Sequence, residues 1–143
     1  MPVSAVVIFP SADVIIEKVK MRADWINVDK GYIADVKTSQ YSVERDSFKM
    51  TMDRYKYPLS GALYCMIAEE YFGKPFDFYY IAISKSDLEC EVYKTSKSTM
   101  DRGKYEVVKA LEIYKECIES GDWSNPDKFA EKEYKVKEEI LEV

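Results

Sequence analysis

The stretch MRADWINVDKGYIADVKTS, Met21 to Ser39, decides the fold. Its middle, Asn27-Val28-Asp29-Lys30-Gly31, is turn chemistry, because Asn and Gly tolerate positive φ. Val14 to Ile26 reads as one long strand entering the turn, and Tyr32 to Thr38 as the strand leaving it. With the turn centred between Asp29 and Lys30, Asp24 stands opposite Asp35 and Arg22 opposite Lys37. Strand side chains alternate faces with a period of two, so these four share one face. Met21, Ala23, Trp25, Tyr32, Ala34 and Val36 share the other, which is apolar and expected to lie on the core.

Upstream, Val3 to Phe9 is expected to be a short strand. Downstream, Ser42 reads as the N-cap of a helix reaching about Met52. Pro58 suits the first turn of a second helix that ends near Gly73, with Leu59, Ala62, Leu63, Met66 and Ile67 at helical spacing. Phe76 to Ser84 is aromatic and β-branched on both faces, as a buried central strand would be, and Leu88 to Tyr93 would pair with it. Ser98 and Asp101 suggest a capping box for a last helix to Ser120, with Val107, Leu111, Tyr114 and Ile118 as its apolar stripe. Gly121 stops it, and Trp123 is read as a lid on the core. The order of strands, helices, strands and helix predicts an α/β domain over residues 1–125, with a mixed central sheet flanked by helices. Residues 126–143 read as a charged C-terminal helix or tail.

Composition narrows the chemistry. The chain of 143 residues is 47% hydrophobic and 33% charged, a globular balance with enough length for one core. It contains no histidine, which excludes every imidazole base, His-ligated zinc and Ser-His-Asp triad. A net charge of −5 argues against a surface that is basic overall. It is compatible with a local basic groove and with an acidic metal site. Cys65, Cys90 and Cys117 are widely spaced, so reduced thiols are expected, with a cytoplasmic location in a bacterium or a phage-infected host. No apolar run approaches the roughly 20 residues of a membrane span.

The hairpin's charged face carries the chemistry. Directly opposed residues place their Cβ atoms roughly 5 Å apart, and like charges there are destabilising. Asp24 and Asp35 so placed need a compensating charge. One answer is a divalent cation with oxygen ligands, beside which Lys37 could touch bound water or phosphate. The other is an exposed face on which Arg22 and Lys37 pair with the two Asp as ordinary salt bridges.

The longer string resembles a known family. MRADWIN, a short turn and YIADVKTS resemble the metal-site hairpin of the PDDEXK nuclease superfamily, nearest to phage-type exonucleases of the RecE (exonuclease VIII) kind within the RecB-like group. YKYPLSGALY resembles the following helix, FDFYYIAIS and LECEVYK the next two strands, and ALEIYKECIESGDW the long helix with its Trp end. The resemblance implies a restriction-endonuclease-like core. Asp24 and Asp35 would be metal carboxylates, the backbone carbonyl of Val36 a further ligand, and Lys37 the residue that handles the attacking water. Tyr64 matches the tyrosine of the family's Gln-x-x-x-Tyr helix motif, and Ser60 stands where its glutamine would be. Ser60, Tyr64, Arg22 and Tyr57 are the candidate DNA contacts. The family's usual first helix has no counterpart in the extended stretch before the hairpin.

What the resemblance implies is an Mg²⁺-dependent exonuclease, with Mn²⁺ as the alternative ion, acting on duplex DNA ends. It further implies a ring-like homo-oligomer and a single-strand annealing partner, with no membrane. A second reading is a catalytically incomplete remnant of that fold, used for DNA binding or assembly. A third is an unrelated acidic α/β protein. Lys49, Arg54 and Lys56 could follow a DNA backbone, since phosphate contact needs only positive charge in register. Cys65 is read as a small core residue, and Phe76, Phe78, Tyr79 and Tyr80 as core packing.

Overall fold

The hairpin forms around Gly31, whose φ of 68° only glycine adopts without strain. A Cβ there would also sit 2.8 Å from the carbonyl oxygen of Pro75. The computed structural model describes residues 3–9 and 14–124, with side chains from residue 19 onward. The tail expected at 126–143 lies outside the described residues. Strands β1 (Val3–Phe9) and β2 (Val14–Met21) form an antiparallel pair. Strands β3 (Trp25–Asn27), β4 (Tyr32–Ser39), β5 (Asp77–Ser84) and β6 (Cys90–Lys94) form a second sheet in that order. Its β4–β5 pairing is parallel and its other two are antiparallel, so the central sheet is mixed as expected.

The expected strand Val14–Ile26 is two strands, separated at Arg22-Ala23-Asp24. The register around the turn is the expected one: Trp25 faces Ala34, Ile26 faces Ile33 and Asn27 faces Tyr32. The ladder stops there because the side chain of Asp24, not the backbone of Ala23, takes the next β4 amide. Arg22 therefore never comes opposite Lys37 in a ladder.

Three helices complete the domain: α1 (Arg45–Arg54), α2 (Tyr57–Phe72) and α3 (Lys97–Ser120). They break at Lys56, at a φ of 57°, and α2 carries Pro58 in its first turn. Gly73 closes α2 in the left-handed conformation. Two caps differ from expectation. The cap residue of α1 is Glu44, whose amide donates to Ser42 Oγ, so Ser42 makes a turn before the helix. The cap of α3 is Ser96, which accepts from Thr99 N, while Asp101 pairs with Lys97.

The core lies between the sheet and the helices and includes Ile33, Val43, Phe48, Ala62, Ile67, Phe78, Tyr80 and Val107. Cys65 joins it as expected; burial pushes its thiol up to about 12. Helices α2 and α3 touch at Gly103, which rests on the Pro58 carbonyl and Ala62 Cβ. Beyond that contact α3 outruns its neighbour, with 24 residues against 16. Tyr114 and Ile118, expected on the stripe, are exposed, while Cys117 between them is buried, so the last turns present a different face from the one expected. Trp123 does not close the core: it is exposed and leans edge-on against Tyr114. No helix among the described residues is long and apolar enough to cross a membrane.

Candidate active site

The parallel register lines up Asp35 of β4, Tyr80 of β5 and Tyr93 of β6 across one face of the sheet. Helices cover this face. Phe48 of α1 lies against Tyr80 and Tyr93, Tyr57 stacks on Tyr80, and Tyr64 meets Phe78 edge-on. Alternation along β4 then sends Ile33, Asp35, Lys37 and Ser39 towards the helices. The face expected on the core is open at its far end instead: Trp25 is 61% exposed and Val36 44%, although Met21 and Ala34 are buried.

Three charged groups meet at the edge of the covered side, Asp35 and Lys37 half-buried and Asp24 exposed. Asp35 and Lys37 form an ion pair of 2.7 Å, with side chains only 14% and 29% exposed. Asp24 reaches the same place from the bend after β2. Its Oδ2 accepts the Val36 amide at 2.9 Å, which fixes the carboxylate at the point where the ladder ends. Burial pushes the Asp35 carboxyl above its ordinary value. The ammonium of Lys37 pulls it back in part, and the neighbouring Asp24, within hydrogen-bonding reach, pushes it up again. The two carboxyl groups thus converge, and Asp35 pairs with Lys37.

Lys37 is held from a second side, with its Nζ 4.8 Å from the centre of the Tyr57 ring. The N–H and C=O of one β residue leave the strand on the same side. The Val36 carbonyl is therefore directed towards Asp24, past the last ladder pair. Among the described residues no three side chains of Asp, Glu, Cys or His stand together. The oxygens on offer are two carboxylates and a main-chain carbonyl, a hard donor set that fits Mg²⁺ or Mn²⁺ with waters completing the shell.

The other candidates are more dispersed. Tyr57 joins the cluster, and Tyr64 sits on α2 against Phe78, two residues along β5 from Tyr80. Ser60 is exposed on the first turn of α2, and Arg22 is exposed in the bend. Sequence reasoning missed Tyr80 as anything but packing. It is 1% exposed, and its hydroxyl has no hydrogen-bond partner among the described residues. A Cβ on Gly61 would come within 3.0 Å of that oxygen. Burial and the charge of Asp35 both raise its phenol. Residue type could not have flagged this, because its neighbours in that strand are aromatic too.

Comparison with known proteins adds to the geometry. Residues 11–134 match a family described as a PDDEXK-like domain of unknown function (DUF3799). The fold is similar to the crystal structure of a "Putative exonuclease" from Eubacterium rectale, with a TM-score of 0.54 and 16% sequence identity. The similarity covers 79% of this chain and 40% of that one, so this chain spans well under half of the neighbour's length. No curated protein matches the chain.

Proposed function

The chain belongs to the PDDEXK-like family, and from that premise we propose that it is a metal-dependent DNA exonuclease of the RecE-like, RecB-related type. One observation carries the reading: Asp24 and Asp35 converge beside Lys37 at the end of a β ladder, with the Asp24 carboxylate held by the Val36 amide. Asp35 and Lys37 beneath the helices have no packing purpose, since burying such groups costs more than an apolar pair would, and the exposed Asp24 carboxylate is brought up to them.

In the proposed mechanism Asp24, Asp35 and the Val36 carbonyl would hold Mg²⁺, with Mn²⁺ as the alternative. Such a cation, when bound, would supply charge neutralisation at the scissile phosphate and acidify water. Lys37 would leave Asp35 to orient the attacking water and to meet the charge developing on phosphate. Tyr57 keeps the ammonium over the site through its ring face. Tyr64 and Ser60 of α2, with Arg22, are the proposed contacts to DNA. Exposed Arg45 and Lys49, one turn apart on α1, give it a short basic edge on a chain whose net charge is −5. Duplex ends as substrate, a ring of copies that gathers such edges around DNA, a strand-annealing partner and a cytoplasmic setting complete the proposal.

The test is incubation of linear duplex DNA with the protein in Mg²⁺, in EDTA, and with Asp35→Asn. Degradation that needs the ion and Asp35 supports the exonuclease. Binding without degradation in Mg²⁺ selects the remnant that binds or assembles on DNA, which the replacement of the motif glutamine by exposed Ser60 favours. Neither binding nor cleavage overturns both.

A further inference from the structure

Tyr80 stands beside Asp35 with a polar atom left over. In the parallel pairing of β4 and β5 the two are register partners, and both side chains go to the side the helices cover. Neighbours hold the Tyr80 ring from several directions. Phe48 and Phe78 meet it edge-on, with ring centres 5.8 Å and 5.0 Å away, and Tyr57 stacks on it at 6.0 Å. Its hydroxyl faces Gly61 of α2, where even a Cβ would come within 3.0 Å. The phenol is 1% exposed, and its oxygen has no hydrogen-bond partner among the described residues. The ring has no room to swing out and give that hydroxyl to water.

Phenylalanine would fill the same space without the unpaired oxygen, so packing does not explain a tyrosine here. Buried polar atoms are almost always satisfied, and an exception points to a partner taken up in another state of the site. The titratable groups whose charge reaches the phenol are Asp35, Cys65 and Tyr57. Cys65, its thiol pushed up to about 12, keeps its proton, and its sulfur is a weak acceptor. The Tyr57 ring is taken up by Lys37 and by Tyr80 itself. Asp35 is the carboxylate of the three, and its present partner is the Lys37 ammonium at 2.7 Å. In the proposed reaction Lys37 would leave it. The carboxylate would then lack a donor while the phenol, one strand away, lacks an acceptor.

We propose that Tyr80 is a positioning residue for Asp35: its hydroxyl takes over the carboxylate when Lys37 leaves and steadies it for the divalent cation. The inference rests on Asp35 being an ion-binding carboxylate. An O–H donated to a carboxylate is charge-assisted and roughly twice as strong as a neutral hydrogen bond. Burial and the Asp35 charge both raise the phenol, so it keeps the proton it would donate. Donors placed behind a metal ligand typically account for roughly 10–100-fold in ion affinity. Tyr57 touches both donors, Lys37 through its ring face and Tyr80 by stacking, so the exchange takes place within one packed group.

The full chain, without DNA, is to be titrated with Mn²⁺ alone, with the free ion read by electron paramagnetic resonance, and unfolded by urea in EDTA. Wild type should bind Mn²⁺, and Asp35→Asn should lose that binding. Tyr80→Phe should bind the ion roughly 10–100-fold more weakly than wild type, yet be at least as stable in EDTA. A packing defect would lower both, so the opposite signs isolate the hydroxyl. In Lys37→Met the phenol is the remaining donor of the two, and Tyr80→Phe added to that variant should lower the urea midpoint instead of raising it. Mn²⁺ binding that needs Asp35 but is the same in Tyr80→Phe overturns the proposal and leaves the ion site standing. So does a Tyr80→Phe less stable than wild type in EDTA, because its hydroxyl would then be paired before any ion binds. A stability effect of the same sign in both backgrounds overturns it as well. A wild type that binds no Mn²⁺, or an Asp35→Asn that binds it equally, overturns the ion site and this inference with it.

Discussion

The two faces of β4 invert the usual pattern of a half-buried strand. On the side covered by α1 and α2 stand Asp35 and Lys37; on the open side stand Val36 and, across the hairpin, Trp25. A strand made only for stability would put the valine under the helices and the charges in water. The inversion begins after Ala34, where the ladder to β3 ends. Below that point β4 is ordinary, with Ile33 fully buried. The difference divides one strand: its first half anchors the core, and its second half places an ion pair beneath the helices, where either charge alone would be costly.

If the covered face is an active site, its variants should cost activity first and stability second. Asp35→Asn is expected to lower DNA hydrolysis by at least about 10²–10³-fold. In the metal-free protein its effect on stability should depend on pH. The Asp35 carboxyl is raised in the folded state, chiefly by burial, so the folded chain holds this proton more tightly than the unfolded chain does. The stabilisation from Asp35 is full below its ordinary value and is lost as pH rises through the raised one. Urea midpoints in EDTA should therefore carry an Asp35 component that falls over that window, and Asp35→Asn should remove it. An unchanged pH profile would mean that Asp35 is not strained in this way.

Lys37→Met keeps the stem and removes the ammonium. It is expected to lower hydrolysis on the order of 10²-fold. It should also destabilise the metal-free fold by about 1–3 kcal/mol, because Asp35, with Asp24 beside it, loses its counter-charge. Mg²⁺ should restore much of that stability but not the rate. A variant that loses both equally with or without the ion would reduce Lys37 to a structural ion pair.

The Tyr57–Tyr80 stack beneath the charges sharpens the contrast at smaller scale. Tyr80→Phe should stabilise the fold by about 1 kcal/mol, since it deletes a buried hydroxyl with no partner among the described residues. If it destabilises instead, that hydroxyl has a partner. Tyr57→Leu should lower turnover a few-fold by about 0.5–1 kcal/mol of lost cation–π attraction, and Tyr57→Phe should not.

How much of this the sequence disclosed follows from which interactions are local. The turn, its register, the central strand and both ends of α2 were legible, because Asn27, Gly31, Pro58 and Gly73 act within a few residues of themselves. The break at Arg22-Ala23-Asp24 was not, since it depends on a side chain replacing a backbone partner twelve residues away. The caps of α1 and α3 each moved by two residues: at α3 two serines compete for the role, and at α1 the side chain of Ser42 is spent on a turn before the helix. The two Asp and Lys37 were legible by type and spacing. Which face they would occupy was not, because alternation gives parity and only the packed helices decide which parity is covered.

Val36→Thr probes the open face and should do the least. Threonine keeps the β-branched shape and the strand propensity, and its hydroxyl would meet water on a residue already 44% exposed. The backbone amide that holds Asp24 and the carbonyl beside it are unchanged by the substitution. Stability should move by no more than about 0.5 kcal/mol, and hydrolysis should stay at the wild-type rate. A loss well above that figure, read from urea midpoints at two protein concentrations, would show that this face is buried in solution. If the loss also depended on concentration, the face would be covered by a second copy, and the asymmetry between the two sides of β4 would belong to an assembly and not to the single chain.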